Sequence, residues 1–147
     1  MSILNNPEDI RVSLGSKTIA VVGASRDPSK DAHTVPVYLK RHGYEVIPVN
    51  PFADEILDMK CFKSLLDIPP DLAKTIEVVD IFRPSEDVPP VVDQAIELRK
   101  KHGRLKSVWM QLGISSDVAA ERARKAGLRV IQDSCIRTEH AGAFVRN

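Results

Sequence analysis

Apolar residues gather along this chain in short runs rich in Val and Ile, separated by longer stretches where apolar positions recur every three or four residues. A run that is apolar at every position suits a strand buried on both faces, and the longer period suits a helix with one apolar stripe. The runs predict strands over 17–22, 44–49, 76–82, 106–111 and 128–132. The longer periods predict helices over 34–42, from 85 or 87 to 102, and over 116–126, with Gly43, Gly103 and Gly127 as their stops. A further amphipathic segment over 7–14 predicts an N-terminal helix. Pro36, Pro89 and Pro90 fall in first turns if Thr34 and Asp87 are N-caps, where a missing N–H does little harm. The mixed stretch 56–62 predicts an irregular excursion or a small hairpin before Leu65 and Leu66.

Strand and helix thus alternate without internal repeat or low-complexity segment, which predicts an α/β domain built on a doubly wound parallel sheet of about five strands with flanking helices. At 147 residues and 43% hydrophobic, the chain suits one domain with a real core. The expected division is an N-terminal helical segment over 1–16, a Rossmann-like core over 17–133 and a C-terminal tail over 134–147. With 21 basic and 20 acidic side chains there is no global field to favour nucleic acid or an anionic membrane. The first residues carry neither the basic nor the apolar region of a secretory leader, and no apolar run nears the roughly 20 residues that span a bilayer. The expectation is a soluble, cytoplasmic protein. Cys61 and Cys135, far apart and outside any C-x-x-C spacing, make neither a disulfide framework nor a zinc site.

In such a sheet the ligand lies outside the C-terminal ends of the strands, so strand ends are where chemistry is sought. The first strand runs into Gly23-Ala24-Ser25-Arg26-Asp27-Pro28, where a dinucleotide-binding fingerprint would carry three glycines. Only Gly23 is in place; Ser25 and Pro28 hold the other two positions. That pattern points to phosphate held by backbone N–H groups and a hydroxyl, with Arg26, Lys30 and His33 as nearby cations, unless the segment is an ordinary solvated loop. After the second strand come Asn50 and Pro51, where an NAD site generally places an acid for the ribose hydroxyls. The amide weakens a classical NAD reading, while an NADP reading survives through Arg26. After the third strand, Phe82 could cover an adenine face and Arg83 meet phosphate; equally, Phe82 could be core and Arg83 could pair with Glu86 or Asp87. The fourth strand ends at Gln111-Leu112-Gly113.

Four blocks in order, 18–25, 43–51, 79–85 and 108–113, carry a resemblance that covers nearly the whole chain. The sequence resembles the stand-alone CoA-binding proteins, related to the CoA-binding domain of succinyl-CoA synthetase alpha subunits and of ADP-forming acyl-CoA synthetases. The resemblance implies CoA as ligand, with its phosphates at Gly23, Ala24 and Ser25 and near Arg26 and Lys30. It also implies that Asn50 and Pro51 shape the nucleotide pocket and that Phe82 and Arg83 hold the adenosine side; Gln111 and Gly113 are further pocket candidates. CoA, with a pyrophosphate and a 3′-phosphate, suits a site with several cations and no acid for the ribose.

The larger relatives also carry an ATP-grasp module and a phosphorylated histidine, neither of which this sequence matches, so the expected role is binding CoA, an acyl-CoA or a CoA disulfide without catalysis. Two alternatives stand beside it: an NAD(P)-binding oxidoreductase or redox sensor, and a CoA-binding subunit working with a separate ATP-grasp acyl-CoA synthetase partner. A homo-oligomer is consistent with so small a module. His42 and His102 fall near helix C-termini, where a histidine is favoured without catalysis, and neither His33 nor His140 sits in a nucleophile motif. Cys135, just beyond the last strand, is the one candidate for thiol exchange with CoA, the alternative being a small buried cysteine.

Overall fold

The computed structural model describes residues 5–145. In chain order the elements are α1 (Pro7–Leu14), β1 (Thr18–Val22), α2 (Asp31–Arg41), β2 (Glu45–Val49), β3 (Glu55–Ile56), β4 (Met59–Lys60), α3 (Pro70–Ala73), β5 (Val78–Ile81), α4 (Val88–His102), β6 (Ser107–Met110), α5 (Asp117–Lys125), β7 (Arg129–Ile131) and α6 (Ile136–His140). Each of the five Val- and Ile-rich runs became a strand of one parallel sheet, in the order β2-β1-β5-β6-β7. Every residue of β1, β5 and β6 is buried, as expected for strands covered on both faces.

Side-chain alternation along the strands divides the core into two clusters. On one face Ala20, Ile47, Val79, Ile81, Val108 and Val130 pack with residues of α3, α4 and α5. On the other, Ile19, Val21, Val46, Val78, Trp109 and Ile131 pack against α1, α2 and α6. The sheet is therefore doubly wound. Counting only its own strands, their order is 2-1-3-4-5, and the winding reverses between β1 and β5; that reversal opens a crevice at their C-terminal ends.

Local sequence explains the details. Asn6 caps α1 by accepting the Glu8 N–H at 2.8 Å, and Ser116 caps α5 by accepting the Ala119 N–H at 3.2 Å. The ambiguous stretch resolves as a two-stranded hairpin of β3 and β4, with Leu57 and Asp58 both at positive φ (56° and 60°) in its turn.

Of the two expected helix starts, one is corrected and one holds. Thr34 is not the N-cap of α2, which starts at Asp31 after Lys30 and so carries Pro36 in its interior. The proline leaves the Ala32 carbonyl without its helical partner, and that oxygen instead accepts the Ser25 N–H at 3.0 Å, tying the β1–α2 loop to the helix. Asp87 holds the N-cap position of α4, with Pro89 and Pro90 in the first turn, but makes no capping bond because its carboxylate pairs with Arg83 at 2.9 Å. Residues 136–145, most of the expected tail, are helical, and Ile136 is fully buried in the core.

Asp80 is the exception inside the sheet. It lies in the row Val21–Asp80–Trp109 across the three central strands, fully buried, and neither carboxylate oxygen has a hydrogen-bond partner among the described residues. Burial, with the nearby Cys135 sulfur adding to it, holds its carboxyl well above the usual carboxylate range. The folded chain thus keeps a proton that the unfolded chain releases above about pH 4, so stability is complete below that value and falls as pH rises through the raised folded value. Asp80→Asn removes this penalty. Thermal melts should show a larger gain in Tm for the variant near about pH 7 than near about pH 4; an equal gain at both would contradict the burial argument.

Candidate functional site

The crevice is built around one close backbone approach. Gly23, directly after β1, has φ +88°, and a Cβ placed on it would lie 2.6 Å from the Phe82 carbonyl oxygen. Its N–H donates to the Val49 carbonyl at 2.8 Å, while the Phe82 N–H donates to the Val22 carbonyl at 2.8 Å. The chain leaving β1 is thereby held against the ends of both neighbouring strands, and only glycine fits between them.

Asn50 fastens the same corner from β2. Its Nδ2 donates to the Ala24 carbonyl at 2.9 Å, its Oδ1 accepts the Phe52 N–H at 2.8 Å, and its own N–H donates to the Phe62 carbonyl at 2.9 Å. A carboxylate at this position would set an acceptor against the Ala24 oxygen, so the residue that departs from the NAD pattern is one this corner requires. Ala24 is itself fully buried.

The loop from Ser25 to Lys30 is held by bonds within the chain. The Ser25 N–H is bound to Ala32, the Asp27 N–H to the Ser25 hydroxyl oxygen (3.0 Å), the Ser29 N–H to the Asp27 carboxylate (2.9 Å) and the Lys30 N–H to the Asp27 carbonyl (3.0 Å). These bonds hold the Asp27 carboxyl below its usual range, Ser29 contributing most. The His33 ring closes the loop from the other side, with Nδ1 at 2.8 Å from the Ser25 carbonyl. In this conformation the N–H groups of Gly23, Ser25, Asp27, Ser29 and Lys30 are engaged within the protein, while those of Ala24 and Arg26 make no hydrogen bond among the described residues.

A cavity of about 290 Å³ opens at the C-terminal ends of β1 and β2 on the α4 side, lined by Gly23, Pro51, Lys63, Ser64, Arg83 and Gln94 among others. Two of its cations are already paired: Arg83 with Asp87 at 2.9 Å, and Lys63 with Asp54 at 2.9 Å. Lys63 holds the Asp54 carboxyl below its usual range, with a smaller contribution from Arg26. Arg26 and Lys30 are exposed. A larger groove of about 520 Å³ lies at the opposite, N-terminal edge, lined by Lys17, Glu45 and Arg104 among others. There Glu77 is already bound by Lys106 at 2.9 Å and by the Lys17 N–H at 2.9 Å, and strand polarity does not direct a ligand to that edge. The smaller crevice is the candidate site.

The structure brings Gly23, Pro51 and Arg83 onto that crevice, with Asn50 and Ala24 in the wall behind it. Phe82 is half-buried and turns to the opposite face, packing with the α2-side cluster. Gln111 and Gly113 lie beyond β6. The Gln111 side chain is buried and its Oε1 accepts the Ile136 N–H at 3.1 Å, while the Gly113 N–H donates to the Asp133 carboxylate at 2.6 Å; both hold the segment leading into α6. Lys63, Ser64 and Gln94 were not singled out from sequence. They reach the crevice from the β2–β5 crossover and from α4, which no strand-end rule flags; the nearest signal was the excursion around 56–62.

Residues 17–141 match the model of a family described as the CoA binding domain. The chain is 37% identical over 126 residues to the protein YneT of Bacillus subtilis (strain 168), covering 86% of this chain and 87% of YneT. It is also 37% identical over 91 residues to acetate–CoA ligase [ADP-forming] II of Archaeoglobus fulgidus, matching 60% of this chain but only 13% of the ligase. A solved hypothetical protein from Pyrococcus horikoshii OT3 superposes with a TM-score of 0.83 at 39% identity, over 97% of this chain and 98% of that one.

The contact at Gly23 yields a direct test. Gly23→Ala is expected to destabilise the fold by roughly 1–3 kcal/mol in urea titration, from the strained φ and the clash with Phe82. A variant within about 0.5 kcal/mol of the parent would show that the Phe82 carbonyl gives way.

Proposed function

The chain belongs to the CoA-binding domain family, and on that premise we propose that it binds coenzyme A, or an acyl-CoA or CoA disulfide, in the crevice where the sheet reverses between β1 and β5. The observation that carries this reading is the convergence of the family match over residues 17–141 with a crevice at the C-terminal strand ends lined by Arg83 and Lys63. Gly23 to Ser25 form the floor beneath the pyrophosphate, Arg83 and Lys63 supply charge by releasing their carboxylate partners, and Arg26 and Lys30 meet phosphate at the rim. Pro51 borders the nucleotide pocket that Asn50 shapes. At about 290 Å³ the cavity is near the lower end for ligand sites, which suits one end of a long ligand whose pantetheine arm continues along the sheet edge.

Binding without catalysis is the reading favoured for the chain alone. A second reading, a CoA-binding subunit acting with a separate ATP-grasp partner, is supported by the match to one portion of an ADP-forming ligase. A co-purifying ATP-grasp chain would favour it. Among the described residues no helix is long and apolar enough to cross a membrane, and no group of His, Cys, Asp or Glu could hold a metal ion.

Calorimetric titration at fixed salt with CoA, dephospho-CoA, acetyl-CoA, NAD and NADP tests the ligand. CoA should bind in preference to the nicotinamide cofactors and weaken on loss of the 3′-phosphate; preference for NAD or NADP would overturn the reading in favour of a redox role. Arg83→Ala should weaken CoA by about 1.5–3 kcal/mol, the worth of a charge-assisted hydrogen bond. Asp87→Asn, which frees the guanidinium, should bind at least as tightly as the parent. Unchanged affinity in a folded Arg83→Ala protein would remove that residue from the site.

A further inference from the structure

A groove of about 520 Å³ runs along the outward face of α2, on the side of the sheet away from the crevice. His33, Val37, Tyr38, Arg41 and His42 reach it from α2 and Arg137 reaches it from α6, and no carboxylate is among the residues that line it. Steps of three and four residues set the helical members on one stripe, while Val35 and Leu39 between them are fully buried in the core. The proposed CoA site uses none of these side chains.

The two arginines are open to a ligand. Arg41 is exposed and forms no ion pair among the described residues. Arg137 donates to the Thr34 hydroxyl at 3.2 Å and stands 3.9 Å from Asp31, whose side chain is 82% exposed, a pair that a more highly charged anion displaces. The two histidines are aimed by the backbone. His33 Nδ1 lies 2.8 Å from the Ser25 carbonyl, and His42 Nδ1 lies 2.8 Å from the Tyr38 carbonyl. A carbonyl only accepts, so each Nδ1 carries the hydrogen, and Nε2 is the atom that takes up a proton and then donates it. The His42 ring also stacks on Tyr38 with centroids 3.9 Å apart, which together with Pro28 and Val37 gives the groove a flat, largely apolar wall.

Few charges oppose an anion here. The His140 ring stands edge-on to His42 at 5.2 Å, and burial, with His42 adding to it, holds His140 below its usual range, leaving it uncharged at neutral pH. The other charged groups around the two rings are Asp27 and Lys30 in the β1–α2 loop, Asp31 and Arg41 on α2 and Arg137 on α6, with Asp58 in a neighbouring depression beyond Arg41. Of the carboxylates, Asp27 is engaged by Ser29 and Asp31 by Arg137.

We propose that this groove is a second ligand site, separate from the CoA crevice, for a small phosphate monoester with a flat or apolar body. Arg41 and Arg137 grip the phosphate oxygens as forked donors, His33 and His42 add Nε2–H donors once protonated, and the body lies against the Tyr38–His42 stack. Binding therefore favours the protonated rings, and the bound ligand moves their titration to higher pH.

The test is an NMR titration of the full chain with phenyl phosphate at fixed ionic strength, with inorganic phosphate and benzyl alcohol as the separated halves of that probe. The expected result is one saturable site with amide shifts centred on Val37, Arg41, His42 and Arg137, an affinity about tenfold or more above that of either half, and His33 and His42 ring signals that titrate at higher pH with ligand than without. Arg41→Gln, at an exposed residue with no ion pair, should weaken phenyl phosphate by about tenfold. Inorganic phosphate binding as tightly as phenyl phosphate, histidine titrations unmoved by the ligand, or full affinity in Arg41→Gln would each overturn the site. Repeating the titration in saturating CoA separates this site from the CoA reading, and undiminished binding is expected. Displacement by CoA would make the groove part of the CoA site and overturn a second one; a chain that binds phenyl phosphate yet shows no shift with CoA would overturn the CoA reading alone.

Discussion

The rest of the molecule depends on the near-contact between Gly23 and the carbonyl of Phe82, 2.6 Å from where any side chain would begin. It joins the ends of β1 and β5 at the point where the sheet changes winding direction, while the Gly23 N–H holds β2 on the other side. From that junction the chain proceeds to two different surfaces. Arg83 turns toward α4 and the crevice, and Phe82 turns toward α2 and the cluster that contains Cys135. A single strand end therefore borders the crevice on one face and the half-buried Cys135 on the other.

The charges of the crevice are held in readiness by partners that are easily displaced. Arg83, Asp87 and Lys63 are part-exposed and Asp54 is almost fully exposed, so these pairs are weak against water and salt, and a multiply charged anion can compete for the cations. The β1–α2 loop behaves differently. Pro36 leaves the Ala32 carbonyl for Ser25, Asp27 gathers the N–H groups around it, and His33 closes on the Ser25 carbonyl, giving a loop whose shape is fixed before any ligand arrives.

Much of the architecture was legible because buried parallel strands leave an unbroken Val and Ile signature, and all five runs became strands with ends within two residues of expectation. The hairpin of β3 and β4 and the location of α1 were readable for similar reasons. The start of α2 was misplaced because proline in a helix interior is disfavoured unless the freed carbonyl finds another donor, and that donor, Ser25, is distant until the chain folds. At the site, Gly23, Asn50, Pro51 and Arg83 were visible as strand-end residues. Lys63 and Gln94 arrive from a crossover and a helix, and the function of Gln111 as the anchor of Ile136 depends on a segment whose helix was not foreseen. Asp80 drew no attention within an apolar strand, since sequence does not reveal that it lacks a partner.

Amide chemical-shift mapping during titration with CoA tests the central claim most directly, because it reports where the ligand sits without relying on any substitution. The account predicts the largest changes at Gly23, Ser25, Lys63 and Arg83. Changes centred instead on Lys17, Glu45 and Arg104, at the opposite edge of the sheet, would contradict it.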